Sequence, residues 1–234
     1  MDQNISMIKL VQKADISLGV CVVISKLNKD YIEEIYDFLV QEKLNFNVIP
    51  LNKSGSALEN YDDVGLSADE YADPWIKIFD KWLHNQDSKH VHCSDFAFRA
   101  GSVLCGSPLD CISQKNCAKE NISVDPDGFV YPCATFSSHS HLRYGNVNQQ
   151  TIEEMMQGEL AIKLRNKKDH PSCLECPWHK ICYGGCMARA FKFFGNEETK
   201  DYYCPSLKKI YAHVSRKLKN VKNIYSCQTQ ENRR

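Results

Sequence analysis

Residues 173–186 read CLECPWHKICYGGC and hold four of the 12 cysteines in the 234-residue chain. Two residues separate the first pair of cysteines, so one short loop can present both thiolates to a single metal centre. Zinc ribbons use this spacing as well as iron–sulfur proteins. The stretch is compatible with two arrangements. All four cysteines can ligate one metal centre, or one of the four can ligate a second centre, as in ferredoxins.

Four further cysteines flank this stretch, and no histidine lies at ligand spacing from them: Cys111, Cys117, Cys133 and Cys204. Soft thiolate donors without histidine favour iron–sulfur clusters or zinc. No export signal is recognisable near Met1, and this favours metal or redox chemistry over disulfide bonds. The remaining cysteines fall outside the pattern, and the first of them is expected to be a buried strand residue: Cys21, Cys93, Cys105 and Cys227.

The turn Tyr183-Gly184-Gly185 lies inside the cysteine-rich stretch. Two glycines give the backbone freedom to approach a bulky inorganic core, and their N–H groups can donate to sulfide. An ordinary tight turn explains the two glycines equally well.

The composition bounds the class of protein. Lys and Arg number 29, as do Asp and Glu, so no bulk charge attracts nucleic acid or an anionic membrane. The longest apolar run, 18–24, is too short to cross a bilayer, and the sequence predicts a soluble, cytoplasmic protein.

The N-terminal part predicts a strand–helix–strand unit of an α/β fold. Residues 16–25 are rich in Val and Ile, as in a strand buried on both faces, and 46–51 form a second strand. Apolar residues at helical spacing predict a helix over 31–42 between them. Two parallel strands leave edges uncovered, so further strands come from another chain, or the unit is the end of a larger barrel.

Local signals predict the remaining elements. Ser67 with Glu70 opens a helix to about residue 83 that is broken or kinked at Pro74. Asp125-Pro126-Asp127-Gly128 joins two strands in a hairpin. Thr151 with Glu154 caps a helix that runs to about residue 166. Residues 206–218 are predicted to form the last helix. Residues 228–234 are polar and are predicted to be disordered.

The cysteine pattern and its surroundings resemble the SPASM motif of radical S-adenosylmethionine enzymes. With Cys111 included, it is most similar to the anaerobic sulfatase-maturating enzymes and related peptide maturases. The resemblance is densest between residues 105 and 204, and these stretches carry it: Asp125–Cys133, Tyr144–Val147 and Cys182–Cys186. The first 90 residues resemble the last strands and helices of the family's partial (β/α)6 barrel.

The resemblance implies the domains and the ligands. Residues 1–90 would end a TIM-like partial barrel, 91–220 would form a small α+β SPASM domain with a β-hairpin, and 221–234 would be a tail. A first auxiliary [4Fe–4S] cluster would be held by Cys111, Cys117, Cys133 and Cys186. A second would be held by Cys173, Cys176, Cys182 and Cys204. Full ligation would leave neither cluster an open iron for substrate.

Two departures from the family restrict the function. The C-x3-C-x2-C triplet that binds the S-adenosylmethionine cluster is absent. Cys182 and Cys186 have the first spacing, but Arg189 stands where the third cysteine would be. S-adenosylmethionine is therefore expected only in a full-length parent. Sulfatase maturases carry an aspartate, proposed as the base, directly after the equivalent of Cys133, where this chain has Ala134.

The sequence is interpreted as the C-terminal SPASM portion of a radical S-adenosylmethionine maturase, with no catalytic residue of its own. Its two clusters would serve electron transfer and docking of a peptide or protein substrate, and an N-terminal radical half is an expected partner. One alternative is a non-enzymatic electron-transfer or peptide-binding module that works with a partner. A weaker one is a structural multi-zinc protein.

The other notable side chains have ordinary explanations. Trp75, Phe79 and Trp82 are expected in the core. Most histidines are expected in loops or at the surface, with the two that follow Cys133 better placed to face substrate: His90, His92, His139, His141, His170 and His179.

Overall fold

The computed structural model describes residues 2–84, 91–115, 117–137 and 139–219. The elements in chain order are α1 (Asp2–Lys13), β1 (Gly19–Ile24), α2 (Ile32–Gln41), β2 (Asn45–Pro50), α3 (Ala57–Val64), α4 (Ala72–His84), α5 (Ser94–Cys105), α6 (Cys117–Glu120), β3 (Ser123–Val124), β4 (Phe129–Tyr131), β5 (Gly145–Asn146), α7 (Ile152–Gln157), α8 (Glu159–Arg165), α9 (Pro171–Leu174), α10 (His179–Cys182), α11 (Met187–Phe194) and α12 (Cys204–Lys217).

The chain divides into two compact units. The first contains the residues up to Gly101 together with those from Pro205 onward, and the second is Ser102–Cys204. The predicted domains, 1–90 and 91–220, are defined by resemblance to a family and not by contacts in the structure. They stay predictions. The predicted tail, 221–234, lies outside the described residues.

Strands β1 and β2 form the parallel pair of the first unit, with Val22 opposite Val48. The chain passes between them through α2, whose buried face carries Ile32, Tyr36 and Leu39. Because these apolar residues recur at helical spacing, the segment buries one stripe as an amphipathic helix. The predicted strand–helix–strand unit is confirmed.

The prediction that β1 is buried on both faces, with Cys21 inside, is wrong. Burial alternates along the strand, so that Val22 and Ile24 are buried while Cys21 and Val23 are exposed. Only one face of the sheet packs on the core, and its side chains follow the period of two. A bridge to Cys93 covers the far edge of β2, whereas nothing among the described residues pairs with the outer edge of β1.

Aromatic side chains form the core between α4 and α5. Trp75 stacks on Phe79 with ring centroids 5.0 Å apart, and Phe96 meets these rings edge-on at 4.9 and 5.5 Å. Trp82 packs against the same Phe96 ring. The predicted core role of these aromatic residues is confirmed.

Ser67 and Glu70 interact as predicted, but they do not begin the helix. The Glu70 carboxylate accepts hydrogen bonds from the backbone N–H and the hydroxyl of Ser67, and these bonds lower the pKa of Glu70 to about 2. Helix α4 starts only at Ala72. Pro74 therefore lies in the first turn, where its missing N–H costs no hydrogen bond, and the predicted break at Pro74 is wrong.

The last helix, α12, packs within the first unit from Pro205 onward. The Ser206 hydroxyl accepts a hydrogen bond from the backbone N–H of Ala72 at 3.1 Å, and Arg99 donates to the Tyr211 hydroxyl. The predicted final helix is thus present, and it begins two residues earlier, at Cys204.

A three-stranded antiparallel sheet, in the order β3–β4–β5, organises the start of the second unit. The predicted hairpin joins β3 to β4, where the Asp125 carboxylate accepts from the N–H groups of Asp127 and Phe129. Gly128 has a φ of +84°, a conformation that favours glycine. The hairpin prediction is confirmed, with shorter strands than predicted.

The predicted helix after Thr151 is two helices, α7 and α8. The capping box of Thr151 and Glu154 is present at its start. Gly158 interrupts the helix with an extended backbone, φ −64° and ψ 152°, so the prediction of one continuous helix is wrong. Across the described residues, we find no helix whose length and apolar character would let it span a bilayer.

The aromatic core of the first unit yields a stability prediction. Phe96→Ala is expected to lower the free energy of unfolding by about 3–5 kcal/mol, because it leaves a cavity among large rings. Phe98→Ala is the matched control, since Phe98 lies two residues further along the same helix and is 40% exposed. The measurement is chemical denaturation, and equal losses for the two variants would contradict the description of this core.

Candidate iron–sulfur cluster site

Four of the predicted ligands lie on separate segments of the second unit. Cys111 begins a short 3-10 turn, Cys117 begins α6, Cys133 follows β4 and Cys186 precedes α11. Burial, followed by the charges of Cys186, Cys133 and Cys111, raises the pKa of the Cys117 thiol to about 12. The other three cysteines are therefore near enough to Cys117 to influence it electrostatically.

Packing holds three of these cysteines in position. Cys117, Cys133 and Cys186 pack against one hydrophobic cluster of the second unit, whose largest buried members are Tyr131 and Phe136. Cys111 is exposed, whereas the other three thiols are partly buried. A thiol with a raised pKa keeps its proton until a metal displaces it, so metal binding at this group would release protons.

The other four predicted ligands lie in or beside three helices, α9, α10 and α12. Cys173 is buried in α9, Cys182 ends α10 and Cys204 begins α12. Successive turns connect the first two cysteines of the stretch, since the N–H of Cys176 donates to the carbonyl of Cys173 at 3.0 Å. Gly184 approaches this group, because a Cβ on it would lie 3.6 Å from the Cys173 sulfur.

Lys167 lies near members of both cysteine groups. Burial lowers its pKa, and the charges of Cys117, Cys186 and Cys173 act in the opposite direction. Its ammonium group donates to the carbonyl of Thr199 at 3.0 Å. Within the described ranges, no three His, Cys, Asp or Glu side chains are arranged to hold a single metal ion.

The turn before Cys186 is strained and specific. Tyr183, Gly184 and Gly185 all have positive φ, at 46°, 85° and 78°. A Cβ on Gly185 would lie 2.5 Å from the Cβ of Asp201, so a side chain does not fit there. The N–H of Gly185 donates to the carbonyl of Cys182, so the interpretation that the glycine N–H groups are free for sulfide is wrong for Gly185. The N–H of Cys186 donates to the Asp201 carboxylate.

A buried ion pair, Arg189 with Asp201, lies behind Cys186, and sequence reasoning missed it. The Asp201 carboxylate accepts from Arg189 and from the N–H groups of Cys186 and Tyr203, the last two both at 2.9 Å. The carbonyl of Asp201 accepts from the N–H of Cys204 at 3.0 Å. The pair therefore fixes Cys186 and Cys204, which belong to different predicted ligand groups.

The sequence held only a weak signal for this pair. Arg189 lies one helical turn after Cys186, and Asp201 lies three residues before Cys204. Charged residues are almost never fully buried unless they are paired. Nothing in the periodicity of the chain indicates which charges are buried, because the partners lie on separate segments.

The histidines mostly have structural roles. His170 caps α9 by accepting from the N–H of Ser172, and His179 lies 3.4 Å from the Asp169 carboxylate. The Nε2 atom of His139 lies 2.8 Å from the Lys192 ammonium. Burial and this neighbouring charge lower the pKa of His139. That His139 and His141 face substrate stays a prediction. His90 lies outside the described residues.

Two cysteines outside the pattern lie in the first unit. Cys93 is buried in the first unit, and burial raises the pKa of its thiol far above the ordinary range. Cys21 is exposed on β1.

Comparison with known proteins identifies what the second unit resembles. Residues 111–177 match the SPASM family, an iron–sulfur cluster-binding domain. The chain is 23% identical over 222 residues to the cysteine-type anaerobic sulfatase-maturating enzyme of Clostridium perfringens strain 13, covering 92% of this chain and 59% of the relative. It is 28% identical over 85 residues to the PqqA peptide cyclase of Xanthomonas euvesicatoria, covering 36% of this chain and 23% of the relative.

The fold matches that of a solved maturase. Native anSMEcpe with bound AdoMet and Cp18Cys peptide aligns with a TM-score of 0.77 and 22% identity, over 92% of this chain and 60% of that chain. The resemblance to radical S-adenosylmethionine and SPASM proteins is therefore confirmed, as is the α/β fold. The chain spans 59% of the length of its sulfatase-maturating relative.

The buried pair behind Cys186 yields a second prediction. Asp201→Asn is expected to destabilise the protein by about 3–5 kcal/mol, because it leaves the buried Arg189 charge without its partner. The double variant Arg189→Met/Asp201→Asn should recover part of this loss, since it removes the unpaired charge.

The control for this prediction is Lys163→Met. It breaks an exposed ion pair with Glu197 and Glu198 in the same unit and should change stability little. Thermal unfolding under oxygen-free conditions measures all three variants. An Asp201→Asn midpoint equal to that of Lys163→Met would disprove the bracing role.

Proposed function

We propose that this protein is the cluster-bearing C-terminal portion of a peptide- or protein-modifying maturase. The proposal starts from its SPASM domain and from the fold that it shares with radical S-adenosylmethionine maturases. The observation that carries the proposal is the packing of Cys117, Cys133 and Cys186 against one hydrophobic cluster, with Cys111 near enough for its charge to act on Cys117. Cys186 lies beyond the matched span 111–177, so this grouping is an observation separate from the family match.

The residues present fit two [4Fe–4S] clusters. The first would be held by Cys111, Cys117, Cys133 and Cys186, and the second by Cys173, Cys176, Cys182 and Cys204. Thiolates are the donors that such clusters require. A Cβ on Gly184 would lie 3.6 Å from the Cys173 sulfur, so glycine keeps a side chain away from that sulfur. Bound clusters would supply one-electron transfer, while the protein fixes their distance, charge and solvent exposure.

The interleaving of the two ligand groups is supported by the bracing of Cys186. Cys186 follows Cys182 by only four positions. Its electrostatic interactions, however, are with Cys117 and with the Arg189–Asp201 pair. The strained turn at Tyr183–Gly185 reverses the chain between the two cysteines. One short segment can in this way serve two separate clusters.

The proposed substrate is a peptide or a protein segment. The aligned anSMEcpe structure holds a Cp18Cys peptide, and a second relative is named a peptide cyclase of PqqA. Ala134 follows Cys133 directly and offers no group that takes up a proton. We therefore assign the chain to maturation of a peptide or protein other than a sulfatase, with no catalytic residue contributed from this position.

The proposed partner is an N-terminal radical half. The outer edge of β1 is unpaired among the described residues, and β1 runs parallel to β2. An unpaired edge of this kind accepts a further strand through backbone hydrogen bonds. A partial barrel continued from this edge would provide the C-x3-C-x2-C cluster that these 234 residues lack.

A second candidate function is an electron-transfer or peptide-binding module that acts without its own radical chemistry. These 234 residues contain no C-x3-C-x2-C triplet, so on their own they offer no site for the cluster that binds S-adenosylmethionine. It keeps the same two clusters and differs in having no dependence on S-adenosylmethionine.

Iron content tests the ligand assignment. Oxygen-free reconstitution of the whole chain should give about eight irons, at four per cluster. Cys117→Ala and Cys204→Ala should each lose about half of this iron, because each removes one ligand from a different cluster. Cys21→Ala, at an exposed cysteine outside both groups, is the control and should keep all of it. Two irons or fewer together with tightly bound zinc would reject the assignment.

Cleavage of S-adenosylmethionine separates the two candidate functions. The reconstituted chain alone should release no 5′-deoxyadenosine, because it lacks the triplet that binds the reacting cluster. Addition of this chain to a separately produced radical half, taken from the sulfatase-maturating relative, should raise release above that of the radical half alone if β1 docks such a half. If the two chains fail to associate, the independent module is the better function.

A further inference from the structure

Tyr144 lies at the edge of the first cysteine group. Its backbone N–H donates to the carbonyl of Val130 at 2.8 Å, which holds it beside strand β4. Its ring packs against the same hydrophobic cluster as Cys117, Cys133 and Cys186. The position of the side chain is therefore set by the sheet and by the core that also positions the thiols.

The hydroxyl of Tyr144 is buried and has no hydrogen-bond partner among the described residues. An unsatisfied buried hydroxyl costs about 1–3 kcal/mol, so most buried hydroxyl groups have a partner. The other tyrosine of this core illustrates the usual case, because the hydroxyl of Tyr131 accepts from Arg143 at 2.9 Å.

The surroundings of this hydroxyl indicate what it faces. After burial, the charges that act on the Tyr144 side chain are those of Arg165, Cys117 and Cys133. The Tyr144 side chain shares its packing cluster with two predicted ligands whose charges act on it, Cys117 and Cys133, yet its hydroxyl bonds to neither sulfur. A group bound between those two cysteines would bring an acceptor to the hydroxyl.

We propose that the Tyr144 hydroxyl donates a hydrogen bond to the cluster held by Cys111, Cys117, Cys133 and Cys186 and thereby raises its reduction potential. This inference rests on the proposed function, since it needs the cluster to bind. Reduction adds negative charge to the cluster, and a hydrogen-bond donor stabilises the more negative state. Tyr144 would therefore adjust the reduction potential of the cluster and would take no part in a bond-making step.

The test is a redox titration of the reconstituted whole chain and its Tyr144→Phe variant. Loss of one hydrogen bond to a charged group should lower the equilibrium constant for reduction about tenfold. For a one-electron couple this is a fall of about 59 mV in one of the two midpoint potentials, while the other stays in place. An unchanged pair of potentials in a variant with full iron content overturns the proposal.

Tyr131→Phe is the matched control. It removes a hydroxyl of the same core whose partner is Arg143, so both potentials should stay at the wild-type values. An equal shift in this variant would mean that general repacking moves the potential, and it would overturn the specific role of Tyr144.

A second variant keeps the proposal testable if Tyr144→Phe fails to fold. Fluorotyrosine incorporated at position 144 keeps the shape of the ring and makes the hydroxyl a stronger donor. The same midpoint potential should then rise, opposite to the change in the phenylalanine variant, and no rise in an iron-loaded sample overturns the proposal. Absence of iron from the wild-type chain would instead reject the proposed function itself, so the two failures are distinguishable.

Discussion

The buried pair of Arg189 and Asp201 is the constraint on which the cysteine arrangement depends. Two charges taken out of water lose several kcal/mol each of solvation, and the loss is offset only by close contact and by further hydrogen bonds. Asp201 meets this requirement by accepting from Arg189 and from the N–H groups of Cys186 and Tyr203. Few alternative conformations satisfy all these bonds, so the pair favours one path for the segment that carries two proposed ligands.

The same region balances charge around the thiols. Eight deprotonated thiolates would place a large negative charge in a partly buried volume, and cations nearby offset it. Lys167 lies near members of both groups, and Lys192 lies near Cys133. The proposed clusters would thus occupy a site whose positive charges come from helix ends and loops that the hydrophobic cluster holds in place.

The sequence predicted those parts of the fold that rest on local signals. The parallel strand pair, the turn at Asp125–Gly128 and the capping box at Thr151 follow from periodicity and turn chemistry. Predictions failed where tertiary context decides: the exposure of Cys21 depends on how many layers cover the sheet, and Gly158 ends a helix that its neighbours would continue. The spacing of the cysteines predicted a cluster site, but it gave no sign of the buried charge pair behind Cys186, because the two partners come together only in the folded chain.

The exposure of Cys111 has a consequence for durability. Three of the four sulfurs in its group are partly buried, whereas solvent reaches Cys111 directly. At the proposed cluster, a chelator, a competing metal ion or an oxidant would meet this sulfur first, because oxidation of cysteine follows its exposure. The least protected ligand would then set the lifetime of the proposed assembly in air.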